Sequence, residues 1–420
     1  MPQHSSRLQP LNINKVFNSL PKLRVSGWSQ TEYPKLCKAN DVKMLNAFQI
    51  FKGKKHMLLF ALFFPFCLLI ASPSVYSLDS GMYSHLDKSN LPKGCGSCHR
   101  GHGVLNTPML PESEEVFCYR CHGNSSNMES RKHAGDLSMH IYTTDLPDIE
   151  KEFDKPYRHP ADKIVTRRYS RALQRTDRMD RTAERHAECT DCHNPHFTSK
   201  QDPMAGIQGV NSQGLDVGKI EFEYQLCFKC HANSANLPPD EKNKADQFKA
   251  SNPSYHPVVA QGKNRDVPSL IFPLNSSSII KCTDCHNNDD LLGPKGPHGS
   301  SYRYILKKNY TETDGTEGSF QYELCYSCHR RESILGNESF LYHDLHISVV
   351  GASCRTCHNP HGSTQYEHLI DFDNLSVSPS SKGFVEYRSL GKKAGECFLT
   401  CHGKDHSPLS YPVSDAGGSS

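Results

Sequence analysis

Apolar residues are spread thinly along this chain, with one exception. Met57–Ala71 reads MLLFALFFPFCLLIA, fifteen residues without a charge. Lys52, Lys54, Lys55 and His56 precede it, and SPSVYS follows, with Val75 and Ser77 at suitable cleavage positions. A basic flank, a short apolar segment and a small-residue exit form the pattern of a secretory signal. The run is short for a bilayer-spanning helix, which needs about 20 residues; an uncleaved N-terminal anchor is the alternative. Residues 1–43 are polar and without periodicity, which predicts a true start at Met44 or Met57 and makes 1–77 leader and signal peptide. Cys67 follows bulky Phe66, where lipid attachment requires a small residue, so it reads as an ordinary apolar residue of the signal. One polar pattern is also regular. Arg167, Arg171, Arg175, Arg178, Arg181 and Arg185 recur at helical spacing and would share one helix face, as a solvated stripe or as a clamp for acidic groups.

Composition narrows the fold. Only 36% of the 420 residues are hydrophobic, mean hydropathy is −0.62 and there is one Trp, which excludes a polytopic membrane protein and argues against a large apolar core. Yet there are 18 Cys and 24 His. The formal charge of +3 belongs to the leader. Removing the ten Lys/Arg and two acids of 1–77 from totals of 48 and 45 leaves 38 and 43, a net charge of −5. A mildly acidic chain implies no nucleic-acid partner.

All 16 cysteines after residue 77 fall into one pattern. Seven sites are CxxCH: Cys95/Cys98/His99, Cys118/Cys121/His122, Cys189/Cys192/His193, Cys227/Cys230/His231, Cys282/Cys285/His286, Cys325/Cys328/His329 and Cys354/Cys357/His358. The eighth, Cys397/Cys401/His402, carries one extra residue between the thiols. Thiols three residues apart on one side of a helical turn reach the two vinyl groups of one porphyrin, and the next residue, His, lies under the iron. Zinc ribbons and disulfides do not require His after every second Cys. Eight such sites behind a secretion signal therefore indicate eight covalently bound haems c. Eight haems in the 343 residues of 78–420 predict a mainly irregular chain with short α-helices and little β, wrapped around porphyrins that supply much of its apolar interior.

The motifs pair into four units, 78–140, 141–240, 241–335 and 336–420, the last with a flexible C-terminal tail. Three first members are followed by another His: CHRGH (His102), CHNPH (His196) and CHNPHGS (His361). The third unit reads CHNN instead, but GPHGS supplies His298 a few residues later. Upstream of each pair lies a further His: His85, His159 in HPA, His256 in HPV, and His343/His346 in YHDLH. Second members recur as LCFKCH, LCYSCH and ECFLTCH.

On these motifs, over about 85–406, the chain resembles the doubled-CxxCH family of multihaem cytochromes, exported proteins of metal-respiring bacteria. The resemblance implies that His85, His102, His159, His196, His256, His298, His346 and His361 are sixth iron ligands, without saying which serves which haem; the proximal ligands are the motif histidines His99, His122, His193, His231, His286, His329, His358 and His402. His186, His343 and His406 compete for those places, and His298 and His343/His346 depart from the family pattern. The 22 His after residue 77 cover bis-His ligation at every site with six to spare, and no Met follows Met204, which predicts low-potential, six-coordinate haems in the second half.

Haem performs the redox chemistry and the protein positions it. Closely spaced haems imply electron transfer without substrate turnover, in the periplasm, at the outer membrane or outside the cell. Expected partners are other cytochromes or quinol-linked donors, with an outer-membrane conduit, extracellular metal oxide and further copies of this chain in a filament as candidates. The competing class is an octahaem reductase of nitrite, hydroxylamine or tetrathionate. It would need one iron with an open sixth position, whereas every proximal residue here is His.

Overall fold

The computed structural model describes residues 84–104, 107–142, 144–161, 187–233, 237 and 241–412. The leader, the arginine stripe and His186 lie outside the described residues. Tyr76–Ser420 cluster as one compact unit.

As the lean composition predicts, regular structure is short and scattered. The helices that matter most carry motifs. Glu114–His122 and Glu223–His231 each end on the Cys-His of a second-member motif, and Cys189–Cys192 and Cys354–Cys357 are single turns spanning first-member motifs. Turns of 3-10 type begin at Gly94 and Cys282, and Glu323–Tyr326 leads into Cys328. The helical i→i−4 bond from the motif His amide to the first Cys carbonyl is 2.8 Å at His99, His193 and His286, 3.0 Å at His329 and 2.9 Å at His358. Seven motifs thus adopt the helical turn that puts residues three apart on one side.

Apolar packing is correspondingly local. One cluster joins Tyr224, Phe228, Ala232, Ala245, Phe248, Tyr255 and Val258; a second joins Leu91, Met128 and Leu137. Among the described residues no helix is long and apolar enough to cross a membrane.

Strands are short but hold distant segments together. Tyr157–Arg158 pairs antiparallel with Gly299–Ser300, and Ser254–Tyr255 pairs with Gly362–Ser363. Each joins the segment before an HPx histidine to the HGS of the following unit. The glycine is required there by close approach. A Cβ on Gly299 would lie 1.9 Å from the Glu152 carbonyl oxygen, and one on Gly362 would lie 2.2 Å from that of Gln247.

The expectation of little β fails at the C-terminus. Val377–Ser378, Glu386–Gly391, Ala394–Cys401 and Lys404–Tyr411 form a four-stranded antiparallel sheet with Ala394–Cys401 flanked on both sides. Two tight turns create it. Gly391 pairs with Ala394 around Lys392-Lys393, and Cys401 pairs with Lys404 around His402-Gly403. His402 and Gly403 have φ of 48° and 75°, the double left-handed conformation that matches strand twist in a two-residue hairpin. The eighth motif therefore lies in a strand and a turn. The three residues between its thiols no longer suit a helical turn, and Phe398 and Leu399 are buried in the sheet.

Candidate haem sites

The thiols of successive motifs lie next to one another in chain order. Cys118 and Cys189 share a hydrogen bond, as do Cys227 and Cys282, and Cys325 and Cys354. Between these contacts, Cys121 lies within electrostatic range of Cys98, Cys192 of Cys230, Cys285 of Cys328, and Cys357 of Cys397 and Cys401. An unbroken series of neighbours thus runs from the first motif to the eighth. Burial pushes the thiols of Cys121 and Cys397 up to about 11 and those of Cys192, Cys285 and Cys357 up to about 12, so they are neutral at pH 7. Cys95 differs from the other fifteen, which are free: its sulfur is in a disulfide, so a thioether there requires that bond to be open. Among the described residues no three or more His, Cys, Asp or Glu are grouped to hold a metal ion, as a zinc ribbon would require.

The junctions between units carry a device that motif reading missed. The Glu114 carboxylate accepts from the Thr190 amide (2.6 Å) and hydroxyl (2.9 Å). Glu223 does the same with Thr283, at 2.8 Å for both. Each Glu stands four residues before the first Cys of a second-member motif, and each Thr follows the first Cys of the next motif. Burial pushes the Glu114 carboxyl up against the opposing effect of the two Thr190 bonds. The third junction lacks this pair, having Gln321 and Arg355 in the two places. There Asp314 accepts from the Ser353 amide (2.8 Å) and the Thr356 hydroxyl (2.5 Å), and its other oxygen lies 3.0 Å from His402 Nε2. Burial pushes the Asp314 carboxyl up, but the Ser353, Thr356 and His402 contacts outweigh it and hold the group below the usual carboxylate range.

Six motif histidines face a second imidazole. Ring-centre separations are 6.0 Å for His99–His196, 5.9 Å for His122–His85, 6.1 Å for His193–His298, 6.3 Å for His231–His159, 6.1 Å for His286–His361 and 6.4 Å for His358–His343. With a metal–imidazole bond of about 2 Å, rings on opposite sides of one ion have centres about 6 Å apart. For His329, His256 is the histidine with the larger electrostatic influence, ahead of His358. Planes are nearly parallel in the His99, His193 and His286 pairs, at 21°, 25° and 10°. They are inclined in the His122, His231 and His358 pairs, at 68°, 55° and 49°.

Two other places differ. His346 faces His406 at 6.4 Å, with neither ring belonging to a motif. His402, at the hairpin tip, is partly exposed and faces Asp314. His102 is exposed on a turn, and among the described residues no ring faces it. His133, His140 and His368 are also exposed.

Hydrogen bonds set the tautomers. His99, His193, His286 and His358 donate from Nδ1 to the carbonyls of Pro108, Pro203, Tyr304 and His368 at 2.8–2.9 Å. His159 donates to the Pro297 carbonyl (2.7 Å), His256 to that of Pro360, and His346 to that of Tyr342 (2.7 Å). The Pro195 carbonyl also lies against His85, though outside hydrogen-bond geometry. A proton held at Nδ1 leaves Nε2 with its lone pair, the form that binds a metal. Burial, then neighbouring histidines, push His122, His231 and His329 down to about 4 and His298 and His343 to about 3; His358 also falls to about 4, by burial, with its His368 carbonyl bond opposing. These rings are neutral at pH 7, as ligation requires. The pairs of neutral imidazoles, with two thiols one turn away, fit haem c.

The comparisons agree with this chemistry. Residues 90–127 match the doubled CXXCH motif, and residues 187–369 match outer membrane cytochrome MtrC/MtrF-like, domains II/IV. No curated protein and no solved structure matches the chain. Helical Cys-x-x-Cys-His turns, repeated with facing histidines and matched over both regions, lead to one conclusion: the chain is a multihaem c-type cytochrome of the doubled-CxxCH kind.

Proposed function

We propose that the chain is an octahaem electron-transfer cytochrome, with haem attached at all eight motifs and bis-His ligation at most of them. It works as an exported protein at the outer membrane or outside the cell, in keeping with its match to MtrC/MtrF-like domains. The observation that carries this reading is the unbroken series of neighbouring motifs from Cys98 to Cys401. Haem c supplies reversible one-electron chemistry at its iron. The protein's part is to hold each anchor beside the next, keep the ligating imidazoles neutral, and surround them with short apolar clusters that limit water. An unbranched order gives the relay two ends, at the first motif and at the C-terminal sheet. Redox partners meet the chain at those ends: a cytochrome or quinol-linked donor at one, an outer-membrane conduit, metal oxide or a further copy of the chain at the other.

Intact mass and pyridine haemochrome assay of the exported protein test the count, with eight haems per chain expected. Potentiometry with magnetic circular dichroism tests the ligation, with low-potential, low-spin haems expected. Fewer haems, or a mostly high-spin spectrum, would refute the reading.

One observation favours a second reading. The eighth motif has His402 against Asp314, and among the described residues no second imidazole faces it, which would leave one iron without a sixth histidine, as a reductase needs. Nitrite or hydroxylamine turnover, with a spectral shift confined to one haem, would identify it.

A further inference from the structure

The ring pairs follow a register that no single motif contains. His196 follows the third motif in sequence but faces His99 of the first. His298 follows the fifth and faces His193 of the third. His361 follows the seventh and faces His286 of the fifth. Each shift is one unit backwards, and all three ring pairs are the nearly parallel ones.

The backbone explains the shift for His298 and His361. Tyr157–Arg158 pairs with Gly299–Ser300, and the His159 amide donates to the His298 carbonyl at 3.3 Å. Ser254–Tyr255 pairs with Gly362–Ser363, and the His256 amide donates to the His361 carbonyl at 3.1 Å. The Pro-His of each later unit is thereby seated beside the upstream His of the earlier one. The seventh motif differs. His343, at 6.4 Å from His358, comes from its own unit, just ahead of the π-helical turn Leu345–Val349. Its Nδ1 is buried without a hydrogen-bond partner. His102 stands where His196 and His361 stand, three residues after a motif His, but it is exposed and among the described residues no ring faces it.

We propose that the sixth ligands of the first, third and fifth haems are supplied by the following unit, through His196, His298 and His361. The series ends at the seventh haem, where His343 of the same unit takes over. This rests on the octahaem reading above. It makes the four units interlocked rather than separable, because each of the first three is completed by its successor.

The test uses the full haem-loaded chain and counts high-spin haem by electron paramagnetic resonance and magnetic circular dichroism. His196→Ala and His343→Ala are each expected to create one high-spin haem per chain, returned to low spin by added imidazole. His102→Ala is expected to create none. Location is read by deletion. His196→Ala is repeated in a chain lacking the first haem (Cys95→Ala, Cys98→Ala), and His343→Ala in one lacking the seventh (Cys354→Ala, Cys357→Ala). In those backgrounds the new high-spin signal should vanish, because the haem that lost its ligand is gone. A signal that persists would overturn the register, as would a silent His343→Ala beside an active His346→Ala. If an alanine variant does not accumulate, His196→Met and His343→Met should keep six-coordination and raise the potential of one haem; no change in any potential would also overturn the inference. Failure of the octahaem reading itself shows separately, in the unsubstituted protein, as fewer than eight haems or high-spin iron before any substitution.

Discussion

The carboxylate clasp between units makes a quantitative prediction. Glu114 is 3% exposed and its two oxygens accept from the Thr190 amide and hydroxyl, 76 residues away. Hydrogen bonds to charged groups contribute about 1.5–3 kcal/mol each, offset here by desolvation of the carboxylate. Glu114→Ala removes both and leaves the Thr190 amide without its acceptor, at a net cost of about 2–4 kcal/mol. For a unit of this size that lowers the thermal midpoint by about 3–6 °C. Thr190→Val removes the hydroxyl bond alone and should cost about 1 kcal/mol. The two changes should not add: a double-mutant cycle should return about 1 kcal/mol of coupling. Differential scanning calorimetry of the haem-loaded protein supplies the midpoints. Because Cys118 and Cys189 meet at the same junction, the second and third haems should also lose magnetic coupling in the oxidised protein, seen by electron paramagnetic resonance. An alanine variant melting within about 1 °C of the parent, or coupling below about 0.3 kcal/mol, would show that the clasp does not hold the junction.

Other predictions follow from the same geometry. Gly299→Ala and Gly362→Ala drive a methyl into the Glu152 and Gln247 carbonyls, so each should cost about 2–4 kcal/mol and convert one low-spin haem to high spin, as counted by magnetic circular dichroism. Lys155 Nζ lies 2.6 Å from fully buried Glu152 and 2.6 Å from Asp289; Lys155→Met leaves the buried carboxylate only Lys151 at 3.9 Å and should cost about 3 kcal/mol in calorimetry. Acid should weaken the protein. Burial opposes but does not overcome the bonds that hold Asp289 and Asp314 below 3.8, and the Arg331 bond, first among its causes, holds Glu317 below 4.5. Their stabilisation is complete above about pH 5 and is lost as pH falls through the folded values, so a thermal midpoint unchanged from pH 5 to pH 3 would contradict it. The mix of ring-plane angles predicts two classes of low-spin resonance signal: rhombic from the nearly parallel pairs and large-gmax from the inclined ones. A single class would contradict the ring geometry.

What the sequence determined by itself is what lies within a few residues. Cys-x-x-Cys-His sets two thiols and an imidazole on one helical turn because a turn is 3.6 residues long, and seven motifs have that form. The scarcity of apolar residues likewise foretold small, separate clusters in place of one core. Tertiary structure decided everything that depends on partners far along the chain. Strand pairing between 157–158 and 299–300, and between 254–255 and 362–363, chooses which imidazole faces which, across more than 100 residues. Position after a motif, which favours His102 as much as His196, carries no such information, and only the fold shows that of the crowded His343/His346 pair it is His343 whose ring faces His358. The Glu114–Thr190 and Glu223–Thr283 clasps left a trace in the sequence, Glu four before one motif and Thr inside the next, but a Glu four residues before a Cys is common in any helix. At the last motif local preference yielded outright. Two tight hairpin turns and the burial of Phe398 and Leu399 in a four-stranded sheet outweigh the helical habit of Cys-His, since a strand with neighbours on both sides satisfies its backbone where a lone turn cannot.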